Sequence, residues 1–164
     1  MSVAYALPPE QLLPIVATLG EPEAQLYAYW LEICPGRGLL PGRQHFDPAE
    51  LGSRHPSLLQ HLWLVDVERN PLRFRLRLVG SAAYMTSPFA RAGHYVDEFI
   101  DPASRAETLQ SSFGRLVEAG EPGLSRGRSW AAPGRNAREL SRLSLPLAAD
   151  GRTVDMLLSM TTYV

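Results

Sequence analysis

The stretch NPLRFRLRLVGSAAYM, residues 70–85, constrains the chain more than any other part of it. Leu72, Phe74, Leu76 and Leu78 alternate with Arg73, Arg75 and Arg77, and a period of two separates such residues onto two faces only in an extended strand. The preceding run LWLVDV, residues 62–67, is a second strand, and Glu68-Arg69-Asn70-Pro71 between them is a turn. Pairing across that turn predicts Trp63, Val65 and Val67 on the apolar face of the hairpin, and Asp66 opposite Arg73 on the outer one. The outer face also holds Leu62, Leu64 and Val79 between arginine stems, so it is expected to need a cover of its own.

A helix predicted over residues 21–33 is the available cover. Leu26, Trp30 and Ile33 fall on one stripe, Tyr27 and Leu31 widen it, and Pro35-Gly36 ends it. Asp47-Pro48 reads as an N-cap followed by a proline at the first helical position, opening a short helix. Residues 81–99 read as short helical turns. A longer helix follows the Asp101-Pro102 start, burying Ala106, Leu109, Phe113, Leu116 and Val117 and ending at Gly120. Three more strands are predicted, over 124–131, 139–147 and 153–162, with Asp150-Gly151 as the last turn. The fold class is α+β: a five-stranded antiparallel sheet with helices on one face and an N-terminal helical extension. Residues 1–60 form the extension and connector, and 61–164 the domain proper.

Composition removes several function classes. The net charge is −1, and all 16 basic residues are arginines. The arginine ladder is flanked by Asp66, Glu68, Asp97 and Glu98, which argues against a nucleic-acid surface. His45, His55, His61 and His94 lack the spacing of a metal site, and no G-x-S-x-G elbow or phosphate loop is present. Cys34 is the only cysteine, so no disulfide can form within the chain. The N-terminal segment lacks the form of a signal peptide, and no run approaches the ~20 apolar residues of a membrane span. The expected location is the cytoplasm.

The order strand, strand, short helices, longer helix, three strands resembles a PAS domain from about His61 to Val164. The local text agrees: RLRLVGSAAYM runs from strand into small residues, GHYVDEF fits a G-x-x-V/L-x-E-F/L phrase, and Asp101-Pro102 begins the following helix. LYAYWLEI, LPGRQHFDPAEL and LLQHLWLVDV extend the likeness to stand-alone PAS-like proteins of alphaproteobacteria. The resemblance implies a non-enzymatic sensing or docking module of bacterial signalling, with a small-molecule cavity between sheet and helices, a signalling partner and a homodimer. It implies no cofactor here. The long helix carries no haem-binding histidine, the N-C-R-F phrase of flavin photosensors is missing, and Cys34 precedes the region where a linked chromophore would sit.

The expected cavity lining comes from three regions. Tyr84, Met85, Tyr95 and Phe99 belong to the middle turns. Leu109, Ser112 and Phe113 come from the long helix, and Trp130, Leu145, Met156 and Leu158 from the last three strands. Tyr84, Tyr95 and Ser112 are its polar handles, and Leu145 and Phe113 are expected on the two sides of one core. Whether these residues enclose an open pocket or simply pack as core stays open. Leu26, Tyr27, Trp30, Leu31, Ile33, Leu62 and Leu64 are the candidate homodimer interface, with Trp30 as anchor, and cover within one chain is the other possibility. Two competing readings are an enzyme of the cone-shaped ketosteroid-isomerase type and a ligand-free adaptor. The cone-shaped fold would place its long helices before the main sheet, whereas here the longest helix falls between the second and third strands.

Overall fold

The computed structural model describes residues 18–84, 91–98, 106–128 and 139–163. Its elements, in chain order, are α1 (Glu21–Glu32), α2 (Pro48–Arg54), β1 (Leu62–Glu68), β2 (Arg73–Val79), α3 (Ser81–Tyr84), α4 (Ala106–Ala119), β3 (Gly123–Arg128), β4 (Glu139–Leu147) and β5 (Met156–Tyr163). The strands form one antiparallel sheet in the order β2-β1-β5-β4-β3. The predicted α+β class and five-stranded sheet are therefore present.

Local chemistry accounts for the boundaries. The Asp47 carboxylate accepts from the N–H groups of Ala49 and Glu50 at 2.9 and 3.3 Å, capping α2 as its Asp-Pro start predicts. Gly120, at φ 66°, ends α4 in the left-handed region that glycine tolerates. Asp150 accepts from the N–H groups of Arg152 and Thr153 at 2.8 and 2.7 Å, holding both in the turn. That is why β5 begins at Met156 rather than near residue 153. At the end of β2, a Cβ on Gly80 would come within 2.4 Å of the Gln60 carbonyl oxygen, so the glycine lets the chain close against the turn before β1.

The hairpin has the predicted faces over most of its length. Phe74 and Leu76 are buried, opposite Val67 and Val65. A bulge between Leu64 and Val65 leaves Arg77 unpaired and brings Leu78 opposite Leu64, so Leu78 is turned over and is 47% exposed. The predicted Asp66–Arg73 pair does not form. Asp66 faces Arg75 in register and takes its ion pair from Arg77 at 3.3 Å, while Arg73 lies opposite Glu68 and forks onto Asp97 at 2.8 and 3.0 Å.

Both faces of the sheet are covered within the one chain. On one face Trp63 and Phe74 meet Phe113 of α4, with ring centroids 5.6 and 5.2 Å apart. On the other lies α1. The Trp30 indole N–H donates to the Pro146 carbonyl at 3.0 Å, and Thr162 donates to the buried Glu23 at 3.5 Å. Thr162 and Thr161 are neighbours on a strand and so point to opposite faces, and Thr161 accepts from the Trp63 indole on the α4 side. By the same alternation Leu143, Leu145 and Leu147 of β4 and Met156, Leu158 and Met160 of β5 lie on the α1 side, all of them buried.

This corrects one expectation: Leu145 and Phe113 are both buried, but on opposite faces of the sheet. It also shows where the candidate interface residues lie. Leu26, Tyr27 and Trp30 are buried, Leu31 and Ile33 partly so, and Leu62 and Leu64 lie in the same intrachain core. A homodimer through this stripe would require α1 to exchange between two copies.

Two predictions follow from these layers. Trp30→Ala is expected to cost about 3–5 kcal/mol in chemical unfolding, with a wild-type melting temperature that does not vary with protein concentration, as cover within one chain requires. Phe113→Leu and Leu145→Val each remove buried apolar atoms at a cost of about 1 kcal/mol. Because the sheet separates them, the double variant is expected to be additive within about 0.5 kcal/mol; residues sharing one core would show larger coupling.

Candidate functional site

The most polar part of the sheet is the α4-facing side of its β3–β4–β5 half. Residues alternating with the leucines point there: Arg142 and Ser144 from β4, Ser159 and Thr161 from β5, Gly123 and Ser125 from β3. Ser144 and Ser159 are opposite one another, and their buried hydroxyls share a hydrogen bond of 2.9 Å. Gly123 and Ser125 are small, and between this surface and α4 lies a cavity of about 300 Å³. Ser112, Phe113, Leu116 and Ala119 form its helical wall, Pro122 to Ser125 its floor, and Arg142 and Ser144 its sheet side. Arg115 and Glu121 also line it.

Arg142 is the chemically distinctive group. Its backbone is held between Ser125 of β3 and Thr161 of β5, and its guanidinium lies over the Trp63 ring, 5.4 Å from the centroid. Its Nε is buried and has no hydrogen-bond partner among the described residues. Burial pushes its pKa down, opposed by the neighbouring Tyr163 hydroxyl.

Of the predicted lining, Ser112 and Phe113 belong to this cavity. Leu145, Met156 and Leu158 belong to the opposite, α1-facing core. Tyr95 lies outside as well. It pairs in register with Arg75, its hydroxyl donates to Glu68 at 2.8 Å, and the Arg73 guanidinium stacks 3.6 Å from its ring centroid. All three partners are on the outer side of the hairpin, and the next residue, Val96, is the one that is fully buried. The hydrogen bond to the Glu68 carboxylate raises the Tyr95 pKa, while the Tyr95 backbone N–H, followed by His94, lowers that of Glu98. Met85, Phe99 and Trp130 fall outside the described residues, as do the side chains of Tyr84 and Leu109.

Arg142 and Ser144 were missing from the predicted site. The signal for them lay in ELSRLSLPL, whose leucines and polar residues alternate as cleanly as those of β2. Expecting an apolar side to face the cavity puts the leucines against α4. With both faces covered, alternation cannot say which side lies under which helix.

His45 and His94 are engaged locally. His45 Nδ1 accepts from the Gly42 N–H at 2.9 Å, and His94 pairs with Glu98 at 3.1 Å. Among the described residues no helix is long and apolar enough to cross a membrane.

No protein-family model matches the chain, and no curated protein matches it in sequence. Solved structures do match it in shape. The chain is similar to a light-oxygen-voltage domain studied with a flavin analogue, at a TM-score of 0.52 and 12% identity, over 72% of this chain and 86% of that one. It is similar to the PAS domain of BvgS from Bordetella pertussis, at 0.52 and 16%, over 71% and 87%. It is similar to the LOV protein of Rhodobacter sphaeroides, at 0.51 and 11%, over 73% and 69%. Identities this low speak for the fold alone. Together with the strand order β2-β1-β5-β4-β3 and a long helix between the second and third strands, they show that this chain has the PAS fold.

Proposed function

We propose that the protein is a non-enzymatic sensory module of bacterial signalling that binds a small molecule between α4 and the β3–β4 half of its sheet and reports occupancy to a protein partner. The observation that carries this reading is the cavity itself. Its volume of about 300 Å³ is at the lower end of ligand-pocket sizes, and apolar walls meet a few convergent polar groups there, which is how ligand sites are built.

β4 offers a route for the report. Arg142 and Ser144 face the cavity, and two residues beyond Ser144 the Pro146 carbonyl receives the Trp30 indole of α1. β3 pairs with β4 only as far as Ser144, so Pro146 sits where its missing N–H leaves no strand partner unsatisfied. A ligand that shifts β4 would bear directly on α1, across the sheet from the cavity. Nothing in this route needs a second copy of the chain.

The light-sensing neighbours do not extend their photochemistry to this protein. A thiol that adds to a bound flavin has to face the ligand cavity, and the one cysteine here follows α1 on the other face of the sheet. Cys34 donates its thiol to the Trp30 carbonyl at 3.3 Å, and burial pushes its pKa up to about 12.

Native mass spectrometry of freshly purified protein tests the reading. A retained small molecule, or saturable stabilisation by members of a compound panel, is the expected result. Loss of that stabilisation when Ser112→Trp fills the cavity locates the site; no binding by any compound class would overturn it. Cys34 is a separate check on the arrangement. With so little thiolate at pH 8, iodoacetamide should modify the folded protein at least about tenfold more slowly than the urea-unfolded chain.

A further inference from the structure

Three surface arginines have carboxylate partners, and one arginine in the cavity wall has none among the described residues. Arg54, Arg73 and Arg77 lie at the surface, and each has a carboxylate partner: Glu32 at 2.7 Å, Asp97 at 2.8 Å and Asp66 at 3.3 Å. Arg142, in the wall of the cavity, ion-pairs with no carboxylate among the described residues, and its buried Nε is without a hydrogen-bond partner among them. An unpaired cation costs more in such a half-buried place than at the open surface. The Trp63 ring beneath the guanidinium compensates part of the charge. That contact gives the buried Nε no hydrogen-bond acceptor, and none of the described residues supplies one. The guanidinium therefore keeps donor capacity that no described residue takes up.

The surroundings narrow the partner's chemistry. A guanidinium fork matches the two oxygens of a carboxylate, and charge-assisted bidentate pairs are among the strongest hydrogen bonds a protein forms. Ser144 is a neutral group on the same wall, and Arg115 adds positive charge against a single acidic lining residue, Glu121. Apart from Ser112, the wall on the α4 side is apolar, through Phe113, Leu116 and Ala119, with Pro122 beside it.

We propose that the cavity takes a small monocarboxylic acid with an apolar body, the carboxylate held by the Arg142 guanidinium and the body packed against Phe113 and Leu116. This rests on the sensory reading above and names the ligand class for that same cavity.

Calorimetry and thermal-shift titration with benzoate and octanoate, against benzamide, octanamide and inorganic phosphate, test the assignment. The acids are expected to bind wild type saturably and at least tenfold more tightly than their amides or phosphate. Arg142→Met is expected to abolish the preference for acid over amide while melting no lower than ligand-free wild type, because it removes a half-buried charge with no ion-pair partner among the described residues. Arg142→Lys keeps the charge without the fork and supplies a second variant if the methionine one fails to fold; its acid affinity is expected to fall about tenfold. Equal binding of acids and amides, in wild type and variants alike, would overturn the carboxylate assignment and leave the sensory reading intact. Phosphate binding as tightly as the acids would overturn the choice of carboxylate. No binding by acids, amides or phosphate, with no molecule retained in native mass spectra, would overturn both.

Discussion

A sheet with cover on both faces is the condition on which the rest of this structure depends. In β4, Leu143, Leu145 and Leu147 enter one core, while Arg142 and Ser144 enter the space on the other side. The leucine face is closed by α1 and the connector that follows it, with Leu26, Trp30, Leu40, Leu51 and Leu58 all buried in the same core. Because that core carries so much apolar packing, the α4 side can hold arginine, serine and threonine where a single-layered protein would need hydrophobic residues. Polar groups with room around them are thus a consequence of the cover supplied from the far side.

The helix that makes this possible is held by two kinds of contact. Packing of Leu26 and Trp30 is non-directional, whereas the indole N–H to the Pro146 carbonyl fixes the height of α1 along β4. A buried indole needs such an acceptor. β4 offers one because its pairing with β3 has ended by Pro146 and the carbonyl there is free of ladder bonds.

Much of this was legible in the residues. Period-two alternation located β1 and β2, and the Asp-Pro and Asp-Gly pairs marked one helix start and the last turn for reasons the hydrogen bonds confirm. What could not be read was any assignment that needs a third body. The bulge at Arg77 overturns Leu78 because register is set by the partner strand β1 as well as by β2. Tyr95 looks like a core aromatic in isolation, yet Glu68 and Arg73, more than twenty residues earlier, draw it outward. Leu145 and Leu158 alternate as expected and still belong to the other core, since a strand's own pattern distinguishes its sides without saying what lies against each. Arg142 is hidden in the sequence for the same reason.

The segment around Tyr95 has a meaning for the behaviour of the protein in a crowded solution. β2 is an outer strand of the sheet, and outer strands with free N–H and C=O groups invite pairing with other chains. Here the Leu76 N–H donates to the His94 carbonyl at 2.8 Å, and the Gly93 N–H donates to the Leu76 carbonyl at 2.7 Å. Arg73 and Tyr95 pin the segment in place from the outer side. With both backbone groups of Leu76 already bonded, a strand from another molecule finds no continuous ladder along β2, and that margin resists growth of the sheet into an aggregate.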